Sequence, residues 1–138
     1  MDVLSAFEDR WSLSRRVEDR RAGALLALEG EALLTRDGEG LRYEESGLWT
    51  EGPYTGLKAS RVYLWRATGE EIAVFFSDGR PFHDFRPGEA GQAQAGHDCA
   101  PDRYDVLYRF ELPHLWKSVW TVAGPAKDYT ATTLYRRA

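Results

Sequence analysis

Glu45, Arg61 and His83 are the residues of this chain whose types and placing most directly suggest chemistry. Asp78-Gly79 lies between two apolar runs, and both residues accept the positive φ of a two-residue hairpin loop. Such a loop pairs Phe76 with Pro81, Phe75 with Phe82, Val74 with His83 and Ile72 with Phe85. Cross-strand partners share a face, so His83 joins the apolar row Ile72, Val74, Phe76 and points inward. A turn at Thr68-Gly69 pairs Trp65 with Ile72, Tyr63 with Val74 and Arg61 with Phe76, which turns Arg61, Tyr63 and Trp65 inward as well. At Asp37-Gly38, Leu34 meets Leu41, Ala32 meets Tyr43 and Gly30 meets Glu45, with Gly30 leaving space opposite the carboxylate. A buried Glu45–Arg61 ion pair costs several kcal/mol per ion in lost hydration, so it points either to a polar network that specifies structure or to a site that binds something.

The segment Gly96 to Tyr104 holds the other titratable candidates. His97 and Cys99 share a face if extended, and Asp102 and Tyr104 share the next strand's face with Val106, Tyr108 and Phe110. A histidine and a thiolate two residues apart are zinc-ligand types, but no Cys-x-x-Cys and no histidine cluster completes a set, so neither metal nor cofactor is expected. Cys99 with a histidine base oriented by Asp102 would be a nucleophile, although without a family signature a lone cysteine reads as a small buried residue. His83 or His97 would be the axial ligand if the protein held haem. Trp116, Ser118, Trp120 and Val122 alternate on one strand. Lys127 reads as a rim or turn lysine, and Tyr129, Thr133, Tyr135 and Arg137 follow it. Trp11, Leu13, Arg15 and Val17 share a face of the first strand, where Arg137 or Arg136 is expected to stack on Trp11.

Positioning these groups takes a meander of strands at 11–18, 23–36, 40–48, 57–67, 71–77, 80–86, 92–98, 103–112, 115–123 and 128–137. Residues 2–9, with Val3, Leu4 and Phe7 at helical spacing and Asp2 as N-cap, are predicted to form a short helix plugging one end. The stretch 24–34 is rich in Ala, Leu and Glu, which favour helix. Strand is assigned there because Asp37-Gly38 requires a partner. The loop from Arg86 to Gly91 is expected to be the least ordered. An all-β, antiparallel up-and-down barrel of about 8–10 strands results, as one domain over 1–138.

The 138 residues suffice for one core. The net charge of −4 and the lack of a basic stripe argue against nucleic-acid binding. No signal peptide and no apolar run of membrane-spanning length is visible, and one cysteine forms no internal disulfide. These features suggest a cytoplasmic protein with no membrane partner.

Together the landmarks resemble the bacterial family known as domain of unknown function 6314, related to lipocalin-like (calycin) barrels. The matching pieces are Trp11-x-Leu13-x-Arg15, Tyr43-x-Glu45-x-Gly47, Arg61-x-Tyr63-x-Trp65, Phe76-x-Asp78-Gly79-Arg80-x-Phe82-His83, His97-x-Cys99-x-x-Asp102-x-Tyr104, Trp116-x-x-x-Trp120, Gly124-Pro125-x-Lys127-Asp128-Tyr129 and Tyr135-x-Arg137. The resemblance implies a cytoplasmic barrel and no established activity. Many lipocalins carry Gly-x-Trp on the first strand, with an arginine of the last strand packed on the tryptophan; here Asp9 stands where that glycine would be.

The expected function is small-molecule binding, for an acidic or carbonyl-bearing ligand. The lining would be Glu45, Arg61, Tyr63, Trp65, His83, His97, Cys99, Asp102, Tyr104, Trp120, Lys127 and Tyr129. The alternatives are an enzyme of hydrolase, isomerase or decarboxylase type using His83, Asp102 and Tyr104 as acid–base groups, and the haem-binding barrel.

Overall fold

The computed structural model describes residues 2–88 and 91–137. Its strands are β1 (Asp9–Asp19), β2 (Ala24–Asp37), β3 (Gly40–Glu51), β4 (Lys58–Thr68), β5 (Glu71–Phe76), β6 (Pro81–Phe85), β7 (Gln92–Cys99), β8 (Asp102–Glu111), β9 (Leu115–Ala123) and β10 (Asp128–Arg137). Each of the ten expected strands is found, β2 included despite its helix-favouring composition. In β2, interior Leu28, Ala32 and Leu34 are buried while Leu25, Glu29 and Glu31 are exposed. Burial of one face outweighs the local preference.

All strand neighbours are antiparallel, in the order β6-β5-β4-β3-β2-β1-β10-β9-β8-β7. β1 pairs with β10 from Trp11↔Arg137 to Asp19↔Tyr129, so the first and last strands lie side by side in the middle of the sheet. β6 and β7 lie side by side without a ladder between them, which leaves a seam. Side chains bridge it: His83 Nε2 lies 2.7 Å from the Tyr108 hydroxyl, and Phe82 stacks on Trp120 with centroids 5.1 Å apart. Glu89 and Ala90, part of the loop expected to be least ordered, lie outside the described residues.

Two turns lie one residue later than expected, which shifts the strand pairing by two. The loops are Gly38-Glu39 and Gly69-Glu70, so Leu34 faces Tyr43, Ala32 faces Glu45, Tyr63 faces Phe76 and Trp65 faces Val74. Gly38 and Gly69 have φ of 61° and 64°, while Glu39 and Glu70 are not in the left-handed region. Glycine therefore takes the first loop position, as in a II′ turn, rather than the second. A shift of two preserves every inward assignment. Gly30 faces Gly47, not Glu45, and a Cβ on Gly30 would collide with the Ser46 carbonyl. The β5–β6 register is a true departure. Val74 pairs with His83 and Ile72 with Phe85 as expected, but Phe75 pairs with Pro81. Phe82 is left over as a bulge, so Phe82 and His83 both face the interior.

The predicted helix over 2–9 is absent, and no helix occurs among the described residues. The segment folds as turns, with Ser5 N–H bonded to the Asp2 carbonyl at 3.3 Å and Phe7 N–H to the Leu4 carbonyl at 3.0 Å. Asp2 still caps it, accepting Ser5 N–H at 3.0 Å. The plugging role holds: Leu4 and Phe7 have no exposed surface, and Phe7 meets Trp65, Phe85, Phe110 and Trp116 edge-on. Arg137 clamps the plug. Its guanidinium carbon lies 3.9 Å from the Trp11 ring centroid, and its Nη1 and Nη2 donate to the Glu8 and Ala6 carbonyls at 2.6 and 2.7 Å. Asp9, at the glycine position of the lipocalin pattern, has φ of 106°, a conformation that glycine adopts without strain.

Candidate functional site

Beyond the plug the barrel keeps its interior rows but is not filled. A cavity of about 520 Å³ remains, reaching from Trp65 and Trp116 to the mouth at Asp19, Cys99 and Tyr129. Deep in it lies a polar network. Arg15 grips Glu45 with Nη1–Oε2 at 2.6 Å and Nη2–Oε1 at 2.9 Å, and its Nε donates to Thr133 Oγ1 at 2.8 Å. Tyr43 donates its hydroxyl proton to Glu45 Oε1 at 2.6 Å. With that proton committed, Tyr135 is the donor in the 2.8 Å contact with Tyr43. Arg15, on β1, reaches Glu45, on β3, across β2. Gly30 and Ala32, the smallest members of the β2 interior row, stand in the path.

Charge and burial set the protonation states. Burial pushes the Glu45 carboxyl upward, but the Arg15 donors and the charges of Arg15 and Arg61 outweigh it, holding Glu45 below its ordinary value. Burial, then the charges of Tyr135 and Glu45, pushes Tyr43 well above its ordinary value, and burial first brings Tyr135 to about 12. Both phenols are neutral donors near pH 7. Removing one partner of such a pair costs about 3–5 kcal/mol, because it leaves a buried charge uncompensated.

Arg61 stands apart from this network. Its Nε is 3.5 Å from Glu45 Oε2, and its side chain keeps 52% of its surface against 2% for Glu45. Burial works against its charge, and so does Arg15. What raises its pKa is chiefly Tyr63, with Glu45 and Tyr43 adding to it. Among the described residues, Glu45 is the only carboxylate paired with Arg61, and only at 3.5 Å.

Next to Arg61 the wall turns aromatic, starting from Tyr63 on the same strand. Phe82 stacks on Trp120 at an interplanar angle of 9°, Tyr63 lies 5.6 Å from Phe82, and His97 meets Phe82 edge-on at 5.3 Å. Burial, then the charge of His97, pushes His83 down to about 3, so it is a neutral imidazole bonded to Tyr108. Of the two imidazoles weighed as haem ligands, His97 faces the lumen without that engagement. Among the described residues no group of three or more His, Cys, Asp or Glu side chains is placed to hold a metal ion.

Ten of the twelve expected site residues line the cavity: Glu45, Arg61, Tyr63, Trp65, His83, His97, Cys99, Tyr104, Trp120 and Tyr129. Asp102 and Lys127 do not. They pair at the rim, with Lys127 Nζ 3.2 Å from Asp102 and 2.9 Å from the Tyr104 hydroxyl. The expected Glu45–Arg61 pair exists only as the longer contact. Arg15 is the true partner, and it was legible as an inward residue because it alternates with Trp11 and Leu13. Tyr43 carries the same signal. Phe82 carried none, since its inward turn depends on the bulge.

The model of a family of unknown function (DUF6314) matches residues 7–137. No curated protein sequence matches the chain. Among solved structures, the S-type phycobiliprotein lyase CPES from Guillardia theta superposes with a TM-score of 0.72 at 12% identity, covering 100% of this chain and 93% of that one. A redesigned β-barrel, mFAP1, bound to DFHBI gives 0.54 at 11% identity over 99% and 100% of the two chains. EF1p2_mFAP2b bound to DFHBI gives 0.55 at 9% identity over 99% and 97%. At these identities the likeness is one of fold.

Proposed function

The chain belongs to that family of unknown function, and from this premise we propose that it binds a small acidic or carbonyl-bearing molecule inside the barrel. The observation that carries the reading is the unfilled 520 Å³ lumen with Arg61 half-exposed on its wall. A cavity of this size with aromatic walls and a few convergent polar groups suits a small ligand. The two barrels of similar architecture bound to DFHBI support the reading by analogy. The acid–base reading has less support. A histidine with a pKa of about 3 is a weak base, and Asp102 is neutralised by Lys127 at the rim. The proposed setting is the cytoplasm, in keeping with a single cysteine.

Native mass spectrometry of the purified protein, followed by solvent extraction, tests the proposal. A small molecule retained in native spectra and released on denaturation is the expected result. No retained molecule, together with no saturable change in tryptophan fluorescence across a panel of aromatic acids and ketones, would sink it.

A further inference from the structure

The lumen holds two guanidinium groups and one buried carboxylate to serve them. Both oxygens of Glu45 are taken, Oε1 by Arg15 and Tyr43 and Oε2 by Arg15. Arg61 reaches only the edge of Oε2 at 3.5 Å, and no side-chain hydrogen bond from Arg61 forms among the described residues. The other carboxylate on the lining, Asp19, sits at the mouth and accepts the Ala22 N–H at 3.0 Å. Arg61 thus presents an unspent planar fork of donors to the lumen, against a net charge of one positive unit from itself, Arg15 and Glu45. From this we infer that the ligand supplies the missing counter-charge: it is a flat monoanion whose carboxylate seats on Arg61. The inference rests on the lumen being the binding site.

Three observations select that class. A guanidinium fork matches a carboxylate in two parallel hydrogen bonds, whereas a neutral carbonyl leaves one arm idle and the charge unbalanced. A dianion such as a phosphate monoester would overshoot a single net positive charge and place its excess beside Glu45. The body of the ligand then lies along the wall that begins at Tyr63, two residues from Arg61 on β4 and so roughly 7 Å along the strand. Tyr63, Phe82 and Trp120 present near-parallel faces there, with Tyr63 and Phe82 planes at 26° and Phe82 and Trp120 planes at 9°. A flat ring extends such a stack, and a branched aliphatic body does not.

Dansylglycine and its neutral, nearly isosteric amide test the inference. Binding is followed by dansyl emission excited through tryptophan, for the unsubstituted protein, Arg61→Gln and Arg61→Lys, each checked for folding by circular dichroism. The unsubstituted protein should prefer the acid by at least about tenfold, the range of one charge-assisted hydrogen bond. Arg61→Gln should abolish that preference while leaving amide affinity within about twofold, and Arg61→Lys should restore part of it. Equal affinity for acid and amide in the unsubstituted protein overturns the inference but leaves lumen binding standing. A preference that survives Arg61→Gln also overturns it, because the anion then sits elsewhere. If neither probe binds, the inference falls, and the native mass spectra then decide the lumen reading by themselves.

Discussion

At the closed end of the barrel, Phe7 has no exposed surface and four aromatic rings meet it edge-on. At the other end, Arg61 occupies an equally inward position on β4 and keeps half of its side-chain surface. The two ends share strands and inward rows. Trp65 belongs to the packed end and Arg61 to the open one, four residues apart on β4. What separates them is the turn-forming segment before β1, which enters one end and is held there by Arg137. An interior row therefore does not decide whether it becomes core or cavity. A short segment from outside the sheet does.

The largest expected effect breaks the packed end. Phe7→Ala removes a buried aromatic ring and should cost about 3–5 kcal/mol, read as a lowered midpoint in urea at unchanged slope. If the plug were dispensable, the midpoint would stay in place and the contrast between the ends would lose its physical basis.

That contrast also shows which parts of the molecule could be read from its residues. Alternation gave the faces of β3, β4 and β5, and a two-residue shift in pairing at the turns of Gly38 and Gly69 left those faces intact, because the side-chain period of a strand is two. The same logic failed at Phe82, where a bulge places two consecutive residues inside. It also missed that Arg15 holds Glu45. Their strands are not neighbours, so no ladder links them, and the contact depends on small residues of β2 lying between. The plug was legible as an apolar segment but not as turns: so short a helix gains too little from its own hydrogen bonds to outweigh packing.

The seam between β6 and β7 offers a smaller effect that sharpens the comparison, because here the open half is held by a titratable side chain instead of a ladder. The unfolded chain binds a proton at His83 near pH 6.5, whereas the folded barrel resists it until about 3. The unfolded state thus holds more protons between those values, and stability falls as the pH drops through that window. The slope should approach one proton, about 1.4 kcal/mol per pH unit, between pH 6 and 4. His83→Phe should flatten it in urea denaturation measured across that range. An unchanged slope would mean that the seam tolerates a charged imidazole. Glu45 does not imitate this signal, since its lowered pKa confines its own loss of stability to more acidic solution.

The smallest effect has the opposite sign. Arg61 loses hydration on folding, faces the like charge of Arg15, and gains in return one long contact to a carboxylate already committed elsewhere. Replacing it with methionine keeps the length of the stem and removes the charge. If the open end is built to bind rather than to hold the fold together, Arg61→Met should raise the unfolding free energy by about 0.5–1 kcal/mol, read as a higher urea midpoint, while weakening anion binding. A plug residue cannot behave that way, because every contact it loses is a contact of the fold. Should Arg61→Met instead destabilise the barrel by as much as Phe7→Ala, Arg61 would be a structural member of the Arg15–Glu45 network, and both ends would then serve the same purpose.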